Sequence, residues 1–213
     1  SWGGAVPTAL KRVLDEAPNH NLDYESMLVV GGGGAPMPET LIARTKQIFK
    51  NVEHNFGYGY GLTESGAITV VNWGDDLNNF PRSPGKPMPT IEVKLIDDEG
   101  NEIFDDEVEG EICVRSPSVM LGYYKNQIES KKSLNKDRFL STGDYGYRKD
   151  DLYFISSRRT DLILRGAENV YPQEIEILLD QYDGVAESAV IGVPHDDLGE
   201  EVKGPKNVTN NAM

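Results

Sequence analysis

Three short runs in this chain carry side chains of the kind that handle a nucleotide. The first is Tyr60-Gly61-Leu62-Thr63-Glu64-Ser65. An aromatic face can stack on a purine, and a threonine hydroxyl can donate to a phosphate oxygen. A carboxylate beside it can hold Mg2+, which takes oxygen ligands and substrate phosphates. These side chains follow directly on Gly57-Tyr58-Gly59. The second run is Ser141-Thr142-Gly143-Asp144. An aspartate held in a tight glycine turn can accept from both hydroxyls of a ribose, as acidic residues do in other nucleotide sites. The third is Arg158, whose planar donor fork reaches ribose or phosphate oxygens. Taken singly, each has an ordinary reading as well: a generic loop, a Thr-Gly-Asp turn, a surface arginine. A fourth run, Gly31 to Gly34 followed by Ala35 and Pro36, lets backbone amides approach a ligand closely, and also suits a tight turn. It lacks the Gly-Lys-Ser/Thr of a phosphate loop and fits the dinucleotide fingerprint poorly.

The elements that must position these residues follow from periodicity. Leu10, Val13 and Leu14 share a helical face, and Ala17-Pro18-Asn19 ends that helix. Ser26 to Val30 reads as a buried strand running into the glycine run. Leu41, Ile42, Thr45, Ile48 and Phe49 recur at helical spacing after Pro38-Glu39. A short strand is expected near Val52 to Phe56, before the glycine-rich Gly57 to Gly61, and another at Ala67 to Val71. Strand, glycine loop, helix, strand, glycine loop is an α/β layer with its loops at strand ends, where such folds bind ligands. Asp75 to Pro89 reads as linker or long loop. Ile91 to Ile155 has the texture of a small, mostly antiparallel β unit. After Arg158 the texture changes again, with a strand at Asp161 to Leu164, a helix at Pro172 to Gln181 and a strand at Glu187 to Val193. The fold class is therefore α/β, in several layers.

Composition narrows the function classes. With 21 basic against 35 acidic side chains, net −14, binding of nucleic acid or of an anionic membrane surface by bulk charge is disfavoured. Nine of the 15 residues from Asp97 to Glu111 are acidic; 35 less nine leaves 26 acids against 21 bases, a net of −5 elsewhere. The alternation of Ile91 to Leu95 and Glu111 to Arg115 around Asp98-Glu99-Gly100-Asn101 makes this tract a solvated hairpin, and the EF-hand calcium spacing is absent. One cysteine, Cys113, and three histidines exclude a disulfide scaffold and disfavour a zinc cluster. A cytoplasmic, reducing compartment is expected. There is no 18-residue apolar run, and the start lacks both Met and a leader pattern.

The order of the motifs resembles the AMP-forming acyl-CoA synthetases, the adenylate-forming superfamily that includes peptide-synthetase adenylation domains and beetle luciferases. The resemblance rests on Gly33-Gly34-Ala35-Pro36-Met37-Pro38, Tyr60-Gly61-Leu62-Thr63-Glu64, Gly85-Lys86-Pro87, and Gly110-Glu111-Ile112-Cys113-Val114-Arg115 with Gly122-Tyr123-Tyr124. It continues through Ser141-Thr142-Gly143-Asp144 and Arg165-Gly166-Ala167-Glu168-Asn169-Val170-Tyr171-Pro172. The resemblance implies ATP/AMP, Mg2+ and coenzyme A as ligands, and a fatty or aryl carboxylic acid as substrate. It implies that Tyr60 stacks on adenine, beside Gly61, with Gly34, Ala35 and Pro36 on the other side. Thr63 would bind the α-phosphate, Glu64 the Mg2+, and Asp144 the ribose with help from Arg158. Gly57 to Gly59 would border the acyl pocket and Gly166 the pantetheine tunnel. It also implies that residues 1–157 are the later part of a large domain (1–82 α/β, 83–157 β-rich) and 158–213 an incomplete small one.

The chain departs from the family pattern in places. The family's phosphate loop lies upstream of this sequence and its C-terminal catalytic lysine downstream, Lys203 and Lys206 being too early for that role. Ser157 stands where a glycine is usual, Thr160 where an Asp or Lys hinge is usual, and Lys206 to Met213 does not resemble the continuing strand. The expectation is an internal fragment of a ligase that is inactive alone; an acyl-AMP ligase loading a carrier protein and an inactive adenylate-binding remnant are the alternatives.

Overall fold

The computed structural model describes residues 2–158, 161–166, 168–179, 182, 185, 188–195 and 197–204. Its contacts form two units: Ser1–Thr142 with Tyr147–Ile155, and Gly143–Gly146 with Ser156–Met213. The expectations for Thr160, Gln181, Glu187 and Lys206 to Met213 lie outside the described residues.

In the first unit, β1 (Trp2–Ala5) leads into α1 (Pro7–Glu16), which opens on proline, the residue whose missing N–H costs nothing at a helix start. Leu10 and Leu14 are buried, but Val13 is 53% exposed, because it sits about 100° round the helix from Leu14. A 3-10 turn at Tyr24–Ser26, whose Ser26 N donates to Asp23 Oδ1 at 3.3 Å, delays the next strand. β2 therefore spans Val29–Gly33 and takes in the glycines expected to form a loop. The cause is packing: a Cβ on Gly32 would stand 2.0 Å from Cε of the buried Met37. α2 (Glu39–Ile48) buries Leu41, Ile42 and Thr45 as their spacing predicts, and Thr45 Oγ1 donates to Leu41 O at 2.7 Å. β3 (Phe56–Leu62) likewise absorbs the second glycine run, since the Trp73 ring fills the space a Cβ on Gly57 would need. Val52, expected in that strand, lies instead in a 3-10 turn, Lys50–Val52.

β4 (Ala67–Trp73), a short α3 (Asp75–Asn79) and β5 (Lys86–Pro87) complete a sheet of order β1-β2-β3-β4-β5. β1, β2 and β3 are parallel; β4 and β5 run antiparallel to their neighbours. Leu10, Leu14, Leu41, Ile42, Phe56 and Tyr58 form the core between helices and sheet. The stretch Asp75 to Pro89 is tied down rather than a linker. Leu77 is 1% exposed, Asn72 Nδ2 donates to Phe80 O and Ser83 O, and Ser83 Oγ donates to Tyr153 O at 2.6 Å.

β6 (Glu92–Ile96), β7 (Glu102–Ile103), β8 (Gly110–Arg115), α4 (Gln127–Ser133), β9 (Leu140–Lys149) and β10 (Leu152–Arg158) follow. Their sheet has the order β10-β9-β8-β6-β7. α4 buries no side chain, so it left no apolar period to read; Asn126 caps it by accepting from Glu129 N at 3.2 Å. The acidic tract runs through the β6–β7 hairpin and the loop after it. Its charge is offset by pairs of Lys94 with Glu102, Arg148 with Asp106, and Lys149 with Glu107. Hydrogen bonds from Asn101 hold the Asp97 carboxyl below its ordinary range. Cys113 is buried and its thiol is pushed up to about 11, chiefly by burial, so it supplies no thiolate at neutral pH.

The turn between β9 and β10 places Asp150 (φ 51) and Asp151 (φ 64) consecutively in the left-handed region, the pattern of a type I′ hairpin that Asn-Gly fits best. Asp150→Asn with Asp151→Gly is expected to stabilise the protein by about 0.5–1 kcal/mol and raise its melting temperature by about 1–4 °C. A lower melting temperature would contradict this.

In the second unit, β11 (Ile163–Arg165), β12 (Glu168–Val170), β13 (Ile191–His195) and β14 (Gly199–Lys203) make a sheet of order β12-β11-β14-β13 with antiparallel pairing, and α5 (Pro172–Leu179) follows β12. Glu176 fastens α5 to the segment before β13, its Oε1 accepting from Val190 N at 2.8 Å. Among the described residues, no helix is long and apolar enough to cross a membrane.

Candidate active site

β2 and β3 are parallel, with Gly33 opposite Gly59, so both chains leave the sheet at the same end. That end, beyond the carboxyl termini of parallel strands, is where open α/β sheets bind ligands. The chain turns out at Gly34 (φ 77), leaving Gly34, Ala35 and Pro36 exposed. Tyr60 is half-buried, packed against the cluster of Val70, Leu95, Ile112 and Val114. Its carbonyl accepts from the buried Thr69 Oγ1 at 3.1 Å.

Between Tyr60 and Gly61 the β3–β4 register shifts. A Cβ on Gly61 would stand 1.7 Å from Ala67 O, so only glycine lets the strands approach this closely. Thr63–Ser65 then forms a 3-10 turn. Ser65 Oγ accepts from Leu62 N at 3.0 Å, folding the turn back on its own strand. The turn leaves Thr63 exposed and Glu64 half-buried.

A second segment, Ser116 to Tyr123, lies on this turn. Ser118 Oγ donates to Ser65 O at 2.9 Å, Met120 N donates to Glu64 O at 2.8 Å, and Tyr123 OH donates to Glu64 Oε1 at 3.1 Å. The sequence marks Gly122-Tyr123-Tyr124 only as part of a motif; nothing local signals a bond to a carboxylate 59 positions away. Burial, then the Glu64 hydrogen bond and charge, raise the Tyr123 phenol above its ordinary range, so it remains a donor.

The donor set suits a hard cation. Glu64 offers a carboxylate and Thr63 a hydroxyl, both oxygen ligands. Among the described residues no three acidic, imidazole or thiol side chains gather into a metal cage. A Mg2+ ion here would take most of its ligands from phosphate and water, its usual mode beside nucleotides.

The other expected site residues belong to the second unit. Thr142 to Asp144 lies within β9 rather than in a free turn, because Thr142 Oγ1 donates to Ile112 O at 2.7 Å and keeps the strand paired. Asp144 is buried at 3% exposure, and Arg158 Nε lies 3.2 Å from its Oδ1, with the arginine side chain 64% exposed. Ser157, in place of the usual glycine, is buried and donates to Arg158 O at 3.1 Å. Gly166 (φ 65) turns the chain between β11 and β12, its N–H donating to Leu198 O at 2.7 Å.

Comparison with known proteins places this geometry. Residues 2–124 match the AMP-binding enzyme family. A long-chain-fatty-acid–CoA ligase of Salmonella typhimurium is 37% identical over 199 residues, which cover 93% of this chain and 34% of the ligase. The chain thus spans about a third of the length of that relative. Amide bond synthetase McbA from Marinactinospora thermotolerans superposes with a TM-score of 0.85 at 29% identity, over 96% of this chain and 41% of that one. The o-succinylbenzoate CoA synthetase of Bacillus subtilis, solved with its acyl-adenylate intermediate, gives 0.82 at 30% identity over 96% and 40%. The same synthetase has been solved with ATP and a magnesium ion. A family match over more than half the sequence, on a fold shared with adenylate-forming enzymes, settles the assignment: this chain belongs to the AMP-binding enzyme family.

Proposed function

We propose that the chain is an internal segment of an AMP-forming carboxylate–CoA ligase acting on a fatty or aryl carboxylic acid. In the first half-reaction the substrate carboxylate attacks the α-phosphate of ATP, giving acyl-AMP and pyrophosphate. In the second, the coenzyme A thiol displaces AMP to give the thioester. The observation that carries this reading is the Thr63–Ser65 turn at the end of parallel strands, presenting a hydroxyl and a carboxylate beside Tyr60. Tyr60 stacks on adenine against the Gly34-Ala35-Pro36 backbone. Thr63 donates to the α-phosphate, and Glu64 holds the cation. Bound Mg2+ supplies neutralisation of charge on the phosphates. Asp144 accepts from the ribose hydroxyls, with Arg158 at its mouth, and Gly166 borders the path of the pantetheine arm. Catalysis is then positioning plus electrostatic stabilisation of developing charge.

Residues 1–157 belong to a large domain and 158–213 to the start of a small one in this reading; the separate contact grouping from Ser156 onward supports it. The single, unpaired Cys113 suits a cytoplasmic protein. Likeness to an amide bond synthetase favours a second reading, in which acyl-AMP passes to an acceptor other than coenzyme A.

Asp144→Asn tests the nucleotide assignment. It is expected to weaken AMP binding by about 1.5–3 kcal/mol, the range for a hydrogen bond to a charged group. Unchanged affinity by calorimetry would remove Asp144 from the ribose.

A further inference from the structure

We propose that Tyr123 is a positioning residue for Glu64: its hydroxyl fixes one carboxylate oxygen so that the other is turned toward a cation arriving with the nucleotide. The inference rests on the reading of Glu64 as the metal ligand.

The Thr63–Ser65 turn is held by one segment at successive points. Two of the bonds, Met120 N to Glu64 O at 2.8 Å and Ser118 Oγ to Ser65 O at 2.9 Å, address the main chain. They place the turn but leave the Glu64 side chain its own rotamers. The third, from Tyr123 OH, addresses the carboxylate alone. The Tyr123 main chain is itself held from behind. Its N–H donates to Ser130 Oγ at 2.8 Å, and Ser130 Oγ donates to Asn126 O at 2.7 Å, at the capped start of α4. Asn126 and Ser130 thus hold the Tyr123 main chain, and the Tyr123 side chain reaches from there to the Glu64 carboxylate. Orientation of a metal ligand by an outer partner is commonly worth 10- to 100-fold in metal affinity. A neutral phenol suits the role because it can donate to a carboxylate and brings no positive charge that would oppose a cation.

The test uses the full-length protein with ATP present and Mn2+ as the spectroscopic probe, its binding followed by electron paramagnetic resonance. Tyr123→Phe is expected to lower Mn2+ affinity about tenfold. Metal-free AMP affinity and melting temperature should stay at wild-type values. In activity assays the half-saturating Mg2+ concentration should rise similarly, with kcat largely recovered at saturating Mg2+. Glu64→Gln is measured alongside. If Glu64→Gln binds Mn2+ as wild type does, the metal-ligand reading falls, and the inference with it. If Glu64→Gln loses Mn2+ while Tyr123→Phe retains it, the inference alone is overturned. A parallel fall in melting temperature and AMP affinity in Tyr123→Phe would also overturn it, by making the bond structural.

Discussion

Glu64→Gln in the full-length protein is expected to lower the rate of adenylate formation by about 100-fold or more. The substitution keeps the size of the side chain and its hydrogen bond from Tyr123, but removes the charge. Glu64 sits in a turn whose main chain is bonded on both sides, by Leu62 N to Ser65 Oγ and by Met120 N to Glu64 O. The fold should therefore survive, and melting temperature should change little. Loss of rate with intact folding is the signature of a group acting on charge rather than on structure. Carboxylate-dependent ATP–pyrophosphate exchange reads the rate directly. A variant within threefold of wild type would remove Glu64 from the reaction.

Gly85→Ala is expected to cost about 3 kcal/mol of stability, a fall in melting temperature of about 6–12 °C. Gly85 has φ +101, and a Cβ there would stand 2.0 Å from Val71 O and 2.5 Å from Asn72 N. Both are main-chain atoms of β4 and cannot swing aside. The residue also joins two parts of the first unit, its N–H donating to Ser83 Oγ at 2.9 Å and its carbonyl accepting from Tyr153 N at 2.9 Å. Gly100 supplies the control. It too has positive φ (+89), but nothing lies within 4 Å of the added atom. Gly100→Ala should cost only about 1 kcal/mol, from backbone strain alone. Equal losses in the two variants would contradict the assignment of crowding to Gly85.

The residues proposed to carry the chemistry are legible because their types are local. Tyr60, Thr63 and Glu64 fall in one short run, and α2 declares itself through Leu41, Ile42 and Thr45. The glycine runs have the composition of loops but lie in strands. Glycine disfavours strands on its own, and what keeps Gly31 to Gly33 and Gly57 to Gly61 in β2 and β3 is tertiary: Met37 over Gly32, and Trp73 over Gly57. The same holds for Asp75 to Pro89, which has a turn-like composition yet is fixed by Asn72 and Tyr153. The bond from Tyr123 to Glu64 spans 59 residues and has no counterpart in any periodicity. Net acidity is also a poor guide to the charge of the proposed ligands. Nine acidic residues sit between Asp97 and Glu111, partly paired with Lys94, Arg148 and Lys149, so the net of −14 does not describe the turn at Glu64.

The central claim, that this segment belongs to an enzyme activating carboxylic acids through acyl-AMP, is tested most directly by ATP–pyrophosphate exchange. The full-length protein is assayed against a panel of fatty and aryl acids with Mg2+ present. Exchange that requires both an acid and Mg2+, followed by AMP release when coenzyme A is added, is the expected result. Absence of acid-dependent exchange across the panel, in a protein that still binds AMP, would contradict it and favour an adenylate-binding remnant.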